Sequence, residues 1–418
     1  MKLTRYKLGE ILNVTRGASL SGEFYATEGE YIRLTCGNFD YQNNCFKENK
    51  SKDNLYYVGD FRSEFLMEEG DIITPLTEQA IGLLGSTAII PESGKYIQSQ
   101  DVAKIVCKED LLDKNFAFYL ISSALVKQQL SAAAQQTKIR HTSPDKIKDC
   151  TVWITELSEQ KRIGKLLRSI DSKIELNRQI NQNLEAMAKQ LYDYWFVQFD
   201  FPNKDGKPYK SSGGEMVWNE KLKRMIPKEW TNANIYQLAS ISKETVNPQA
   251  QSNELFKHYS LPEYDKTGTY AEEYGIDIQS AKFIVTNNCI LVSKLNPWTS
   301  RVICGNRGSN QICSTEFVVW NPVSLKTKGF LFMLAKSAKF IEYCTQGATG
   351  TSHSHRRINP ELMMKFDFPY NSEIAIKFSL LIENIIVHLH NNIAQLKVLT
   401  KQRDELLPLL MNGQITIE

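Results

Sequence analysis

Two polar stretches hold the residues best suited to work on a ligand. Gln135, Gln136, Thr137, Lys138, Arg140 and His141 lie in the first half of the 418-residue chain; Thr349, Thr351, Ser352, His353, His355, Arg356 and Arg357 lie at the matching place in the second. Their chemistry is donation and acceptance: Gln pairs bidentately with adenine, Arg and Lys with guanine, and hydroxyls bond phosphate oxygens. A polar loop is ordinarily just solvated, and it is the matched placement in both halves that makes these a candidate DNA face. Lys294, Asn296 and Arg301 form a second set. They sit in one of three polar loops, Thr15 to Ser21, Thr77 to Gln79 and Lys294 to Arg301, that bracket apolar strands. For Thr77 to Gln79 an ordinary surface loop is the simpler reading.

No catalytic constellation accompanies them. The chain has no Gly-rich phosphate loop, no HExxH and no GxSxG. It also lacks the Asp/Asn-Pro-Pro-aromatic tetrapeptide of amino-methyltransferases, since Asn296-Pro297-Trp298 and Asn321-Pro322-Val323 have no second Pro. His353 and His355 adjoin Arg356 and Arg357 with no Cys or carboxylate beside them, so they read as a hydrogen-bonding loop rather than metal ligands. The chain is expected to be non-enzymatic, with no metal and no bound cofactor.

A repeat positions these residues. From Ile163, steps of four and three land on Leu167, Ile170, Ile174, Asn177, Asn181, Leu184, Ala188, Leu191 and Trp195, the 3.5-residue period of a coiled-coil seam. From Phe378 the same alternation reaches Ile382, Ile385, Leu389, Asn392, Leu396, Leu399, Arg403, Leu406 and Leu410. An offset of 215 carries Ile163 onto Phe378 and Asn177 onto Asn392. The two helices are therefore expected to pair, with an Asn at the same layer of each fixing register. Packing of each helix on its own domain, or on a second copy of the chain, is the alternative.

The segments before the helices repeat too. Short apolar strands (Ile32 to Thr35, Ile72 to Pro75, Ala88 to Pro91, Val102 to Cys107) lead to a helical run, Phe116 to Leu130, then the polar stretch, a helix start at Ser143-Pro144-Asp145 and an apolar run, Cys150 to Ile154. In the second half the order recurs as Gly329 to Tyr343, the polar stretch, Asn359-Pro360-Glu361 and Lys365 to Tyr370. Ser or Asn at an N-cap followed by Pro is a sound helix start, because Pro lacks an amide hydrogen that would go unpaired there. The predicted fold is α+β, a tandem of two α/β domains each followed by a long helix, the helices pairing as an antiparallel coiled coil. The expected parts are a first domain over 1–156, a helix over 157–198, a linker over 199–228, a second domain over 229–370 and a second helix over 371–412. The linker, rich in Pro, Gly, Ser and Lys, reads as an exposed connection pinned by Phe199, Phe201, Trp218 and Trp230.

Composition narrows the class little. With 42% hydrophobic and 23% charged residues and a net charge of +3, the chain is an ordinary globular protein whose charge neither supports nor excludes nucleic acid. Its eight cysteines form no CxxC pair, no signal-like segment opens the chain, and no run of 18 apolar residues occurs. A cytoplasmic protein with reduced thiols and no membrane span is expected.

Taken together, the order of parts resembles the specificity subunit of type I restriction-modification systems (HsdS). The most specific match runs from Leu157 to Trp230. It includes Glu159-Gln160 at the helix start, Ser169-Ile170-Asp171, Tyr194-Trp195-Phe196 at the helix end, the Gly206-Lys207-Pro208-Tyr209 turn and Ile226-Pro227-Lys228-Glu229-Trp230. The second helix departs from the pattern, with Glu373-Ile374-Ala375-Ile376 in place of a Glu-Gln-Lys start. The resemblance implies two target-recognition domains, each reading one half of a bipartite, asymmetric site in double-stranded DNA. It implies helices, about 48 Å long at 1.5 Å per residue, that set the spacing. It implies as partners two methyltransferase subunits (HsdM), which use S-adenosylmethionine to methylate adenine, and restriction/translocase subunits (HsdR). Lys161, Arg162, Lys165 and Arg168 on the first helix are the expected docking charges. Two other readings are a coiled-coil scaffold that binds protein and a specificity module of a single-chain restriction-methylation enzyme.

Overall fold

The computed structural model describes residues 2–78, 82–133, 140–350 and 355–417. The chain divides into two compact units, residues 1–174 with 398–418 and residues 175–397. Each unit thus holds one β-rich domain and parts of both long helices.

In the first unit a four-stranded antiparallel sheet carries the core. Its strands are β1 (Leu12–Arg16), β2 (Ile72–Pro75), β3 (Ala88–Ile89) and β4 (Val102–Cys107), in the order β3-β2-β4-β1. All four β2 residues are buried, the continuous apolar run of a central strand. Two short helices, Lys114–Ile121 and Ala124–Ala133, cover the sheet. The expected single helix over 116–130 is broken because Ser122 Oγ bonds back to the Phe118 and Tyr119 carbonyls and Ser123 caps the next turn through Val126 N. Ser143 does cap the Pro144–Lys148 helix, accepting from Lys146 N at 3.3 Å. Thr15 and Arg16, expected in a loop, belong to β1 and pair with Lys104 and Ala103.

The second unit repeats the plan. Strands β5 (Ala239–Ser242), β6 (Ile290–Ser293), β7 (Val302–Cys304) and β8 (Phe317–Pro322) lie in the order β7-β6-β8-β5, also antiparallel throughout. Helices Lys328–Ala335 and Ala338–Gln346 follow, again two where one was expected, divided at Ser337, whose Oγ caps Phe340 N. Asn359 caps the Pro360–Met363 helix through Glu361 N at 2.8 Å. Strand for strand the sheets correspond, so the tandem reading of the sequence is realised as two copies of one topology.

The long helices are α1 (Leu157–Tyr192, closed by a π turn over Asp193–Val197) and α2 (Ser372–Met411). Cross-helix contacts fix their sense. In the first unit Asp171 meets Arg403 at 3.4 Å; in the second Asn181 meets Asn392 at 3.1 Å and Asn177 meets Gln395 at 3.3 Å. Partner numbers fall on α2 as they rise on α1, so the helices run antiparallel within each unit. This corrects the expected asparagine layer. Asn177 and Asn392 are equivalent in the repeat, but antiparallel pairing places each against a different residue.

Of the seam positions, Ile163, Leu167, Ile170, Ile174, Ile382 and Leu389 are buried, while Leu184, Leu191, Ile385, Leu396, Leu399, Leu406, Asn177 and Asn392 are half-buried. A polar triad adds to the first unit's packing. The Tyr119 hydroxyl donates to Asp171 at 2.5 Å, and Asp171 also holds Arg403, both charged side chains being largely buried.

The segment 199–228 is not an exposed connection. Phe199, Phe201 and Trp230 are buried, and the Phe201 ring stacks on Tyr209 and Trp230 at centroid distances of 4.8 and 5.1 Å. A hairpin pairs Met216–Asn219 with Arg224–Pro227. Its turn-rich composition describes the tips, while the aromatic residues bury about 150–250 Å² each and hold it on the second unit's core. Trp218, expected to help pin it, is exposed.

All eight cysteines are free thiols. Burial pushes Cys36 and Cys150 up to about 11 and Cys344 to about 12, which leaves little reactive thiolate near neutrality. No helix among the described residues is long and apolar enough to cross a membrane.

Candidate nucleic-acid interface

The sheets present equivalent platforms beyond the ends of their second strands. Past β2, Leu76 N donates to Asp101 O at 2.8 Å and Leu76 O accepts from Thr142 N at 2.9 Å. Past β6, Lys294 N donates to Glu316 O at 2.9 Å and Lys294 O accepts from Ile358 N at 3.0 Å. One residue further, Thr77 pairs with His141 and Leu295 with Arg357; next, Glu78 pairs with Arg140, and Asn296 exchanges bonds with Arg356. Residues some 60 positions apart in sequence are thus joined in the same pattern twice, and each platform carries an Arg at the same place, Arg140 in one and Arg356 in the other.

The first platform is built on a buried carboxylate. Thr77 and Glu78 are buried strand residues, which corrects the surface-loop expectation for this segment. Glu78 accepts from Gly82 N at 2.8 Å and lies 3.7 Å from the half-exposed Arg140 guanidinium. Arg140 Nη1 also donates to Ser131 Oγ at 2.9 Å. His141 is exposed, with Nδ1 3.4 Å from Thr77 Oγ1. Arg140 is therefore held in place with part of its guanidinium open to a partner, and His141 stands beside it.

The second platform replaces that carboxylate with a strained turn. Asn296 takes a left-handed conformation (φ 50°), and so does Ser300 (φ 47°), bracketing the turn Pro297–Thr299. Such residues are strained and need their surroundings to hold them. Asn296 N donates to Arg356 O at 2.8 Å while its Oδ1 accepts from Arg356 N at 3.2 Å. Arg356 Nη2 donates to Ala348 O at 2.6 Å, and Thr349 exchanges backbone bonds with Arg357 at 2.9 and 2.8 Å. Lys294, Asn296, Thr349, His355, Arg356 and Arg357 are thereby brought to one surface.

Two of the expected readers are engaged by carboxylates. Arg301 holds Asp265 with both edges of its fork, at 2.6 and 2.7 Å, and its side chain is only 12% exposed. A guanidinium so placed fixes the turn and is not free to read a base, so Arg301 is a structural residue here. Arg357 makes a two-point contact with Glu316 at 2.9 and 3.0 Å, but its side chain is 44% exposed. That carboxylate raises the Arg357 pKa and aims its remaining edge outward. Gln135, Gln136, Thr137, Lys138, Thr351, Ser352 and His353 lie outside the described residues.

Sequence reasoning did not single out Glu78, Asp265 or Glu316, the three carboxylates that position or withdraw the arginines, nor Trp298, which stands 43% exposed in the strained turn. The repeat offset carries Asp101 close to Glu316 and could have drawn attention to that position. The pairing of Asp265 with Arg301 has no signal in the sequence.

Comparison with known proteins agrees with this architecture. Residues 2–186 match the family model described as the type I restriction modification DNA specificity domain. A type I restriction enzyme specificity subunit (MjaIX) of Methanocaldococcus jannaschii is 22% identical over 333 residues, 77% of this chain and 73% of the relative. The HindI specificity subunit of Haemophilus influenzae is 24% identical, covering 77% of this chain and 81% of the relative. The crystal structure of the type I restriction-modification S subunit from M. genitalium superposes with a TM-score of 0.65 at 14% identity, covering 98% of this chain and 96% of that one, which shows a shared fold. Residues 2–186 thus match the type I restriction modification DNA specificity domain, and the chain as a whole shares the fold of a type I S subunit.

Proposed function

We propose that this chain confers DNA sequence specificity on a type I restriction-modification complex, reading a bipartite, asymmetric duplex site with one platform per half. The observation that carries the reading is the twice-built strand end, with the same four main-chain contacts and an Arg at the same position. A platform that only closed a domain would have no need of the same basic residue at its outer edge in both copies. The two platforms differ in every other side chain, so the two half-sites differ.

Spacing between the half-sites is assigned to the antiparallel helices, each of which contributes residues to both units. The helices also carry exposed apolar residues, among them Leu176, Met187, Leu380, Val387 and Val398. Such residues on otherwise polar helix faces suit protein docking, and two methyltransferase subunits are the proposed occupants. Of the docking charges expected on α1, Arg162 already donates to Ile417 O at 3.2 Å and Arg168 lies over the Phe118 ring at 5.4 Å, leaving exposed Lys161 and Lys165 as the better candidates. The specificity subunit is non-catalytic in this family. Adenine-N6 methylation with S-adenosylmethionine and DNA cleavage by restriction/translocase subunits belong to partners, and the cytoplasm is the proposed compartment.

Duplex binding by the assembled complex at rising salt tests this reading. Phosphate contacts make log K fall linearly with log salt, by about 0.9 per phosphate neutralised. A protein-binding scaffold would show no such slope, and that result would remove the proposal.

A further inference from the structure

The turn Pro297–Thr299 is the most strained feature of either platform. Asn296 and Ser300 are two of the six described non-glycine residues with left-handed φ, and they bracket this one turn. Each is held from outside. Asn296 is locked by the paired bonds to Arg356, and the residue after Ser300 is Arg301, clamped on Asp265. Pro297 is buried, and with Ser300 and Arg301 it lines a small void closed by Phe340, Ile341 and Cys344. This much anchoring leaves Thr299 and the 43%-exposed indole of Trp298 projecting, next to an Asn–Arg pair and in a region that also bears Lys294 and His355.

An indole held at the tip of so rigid a turn offers a preorganised flat apolar face to a partner. In a duplex the fitting partner is a base step. Apolar side chains of DNA-binding proteins act as wedges that part-unstack adjacent pairs, and easily deformed steps accept them best. We infer that Trp298 is a specificity-determining wedge of the second platform, inserting at one base step of its half-site while Lys294, Arg356 and Arg357 hold flanking phosphates or base edges. The inference rests on the DNA-reading function proposed above. The first half of the chain has no such device in its sequence, because the offset of 218 that carries β2 onto β6 sets Ala80 opposite Trp298.

The test is single-base methylation mapping of the complex formed with the methyltransferase partner in a methylation-free host, comparing the natural chain with Trp298→Ala and Trp298→Gln. Both variants should lose on the order of tenfold in methylation at the natural motif, the scale of one base–aromatic contact. They should relax one step in one half-motif and leave the other half unchanged, and Trp298→Phe should restore most of the effect. Natural-motif methylation unchanged in Trp298→Gln would overturn the wedge while leaving the DNA-reading function standing. Absence of any motif with the natural chain would overturn both. The Gln variant keeps side-chain bulk at the turn but is polar and cannot wedge, so it carries the test if the Ala variant fails to fold.

Discussion

The two β-rich domains solve the same packing problem from opposite sides. Where α1 crosses the Lys114–Ile121 helix, space is made by Gly164 on the long helix; a Cβ there would stand 2.8 Å from Phe116 N. Where α2 crosses Lys328–Ala335, space is made by Gly329 on the short helix, whose Cβ would stand 2.9 Å from Ser379 O. The amides of Phe116 and Phe330, equivalent in the repeat, each donate to a side-chain oxygen at 2.9 Å, that of Asp113 in one unit and that of Ser379 in the other. The crossing is kept and its residues exchanged. At the platforms the same holds, since backbone bonding is kept while Glu78 gives way to Asn296 and a strained turn appears. At both places the geometry is shared and the side chains differ.

The correspondence can be broken most severely at the shared core. Phe116→Ala and Phe330→Ala should each cost about 3–5 kcal/mol, the usual loss for a fully buried Phe, and both should appear as lowered midpoints in chemical denaturation. A large effect in one copy with none in the other would mean that the two cores are not equivalent. Next, Asp171→Ala should cost about 1–3 kcal/mol, because it leaves the buried Tyr119 hydroxyl without its acceptor and Arg403 with Asp404 alone. Asp171→Asn should recover part of that in the same assay.

Overpacking at the helix crossings comes third. Gly164→Ala and Gly329→Ala should each destabilise by about 1–3 kcal/mol, as backbone atoms must move to admit the methyl group. The smallest effect separates the platforms. Ser300→Gly should stabilise the second domain by about 1 kcal/mol by relieving a left-handed Ser. In the first domain the offset of 218 already places Gly82 (φ 92°) at that position. Thermal unfolding that showed no gain would mean that the turn at Ser300 carries no strain.

Much of this was legible in the sequence because it depends on period and order. The heptad steps gave the long helices, the Ser-Pro and Asn-Pro starts gave the short ones, and the offset near 216 gave the tandem. Partnership across space was not legible. Nothing near Arg301 in sequence points to Asp265, and antiparallel pairing moves Asn177 from Asn392 to Gln395 without altering either helix's own pattern. The segment 199–228 misled for a related reason. Its composition reports exposed turn tips, whereas its placement is decided by three buried aromatic residues, Phe199, Phe201 and Trp230.

The central claim, that each platform reads its own half of one DNA site, is tested most directly by a chimera. The segment from Lys294 to Arg301 with Asp265 and Arg356 would be replaced by the corresponding residues of another specificity subunit with a known, different motif, and methylation mapped at single-base resolution. The account predicts a split motif in which one half changes and the other half and the spacing stay as they were. A change in both halves, or in neither while methylation persists, would contradict it.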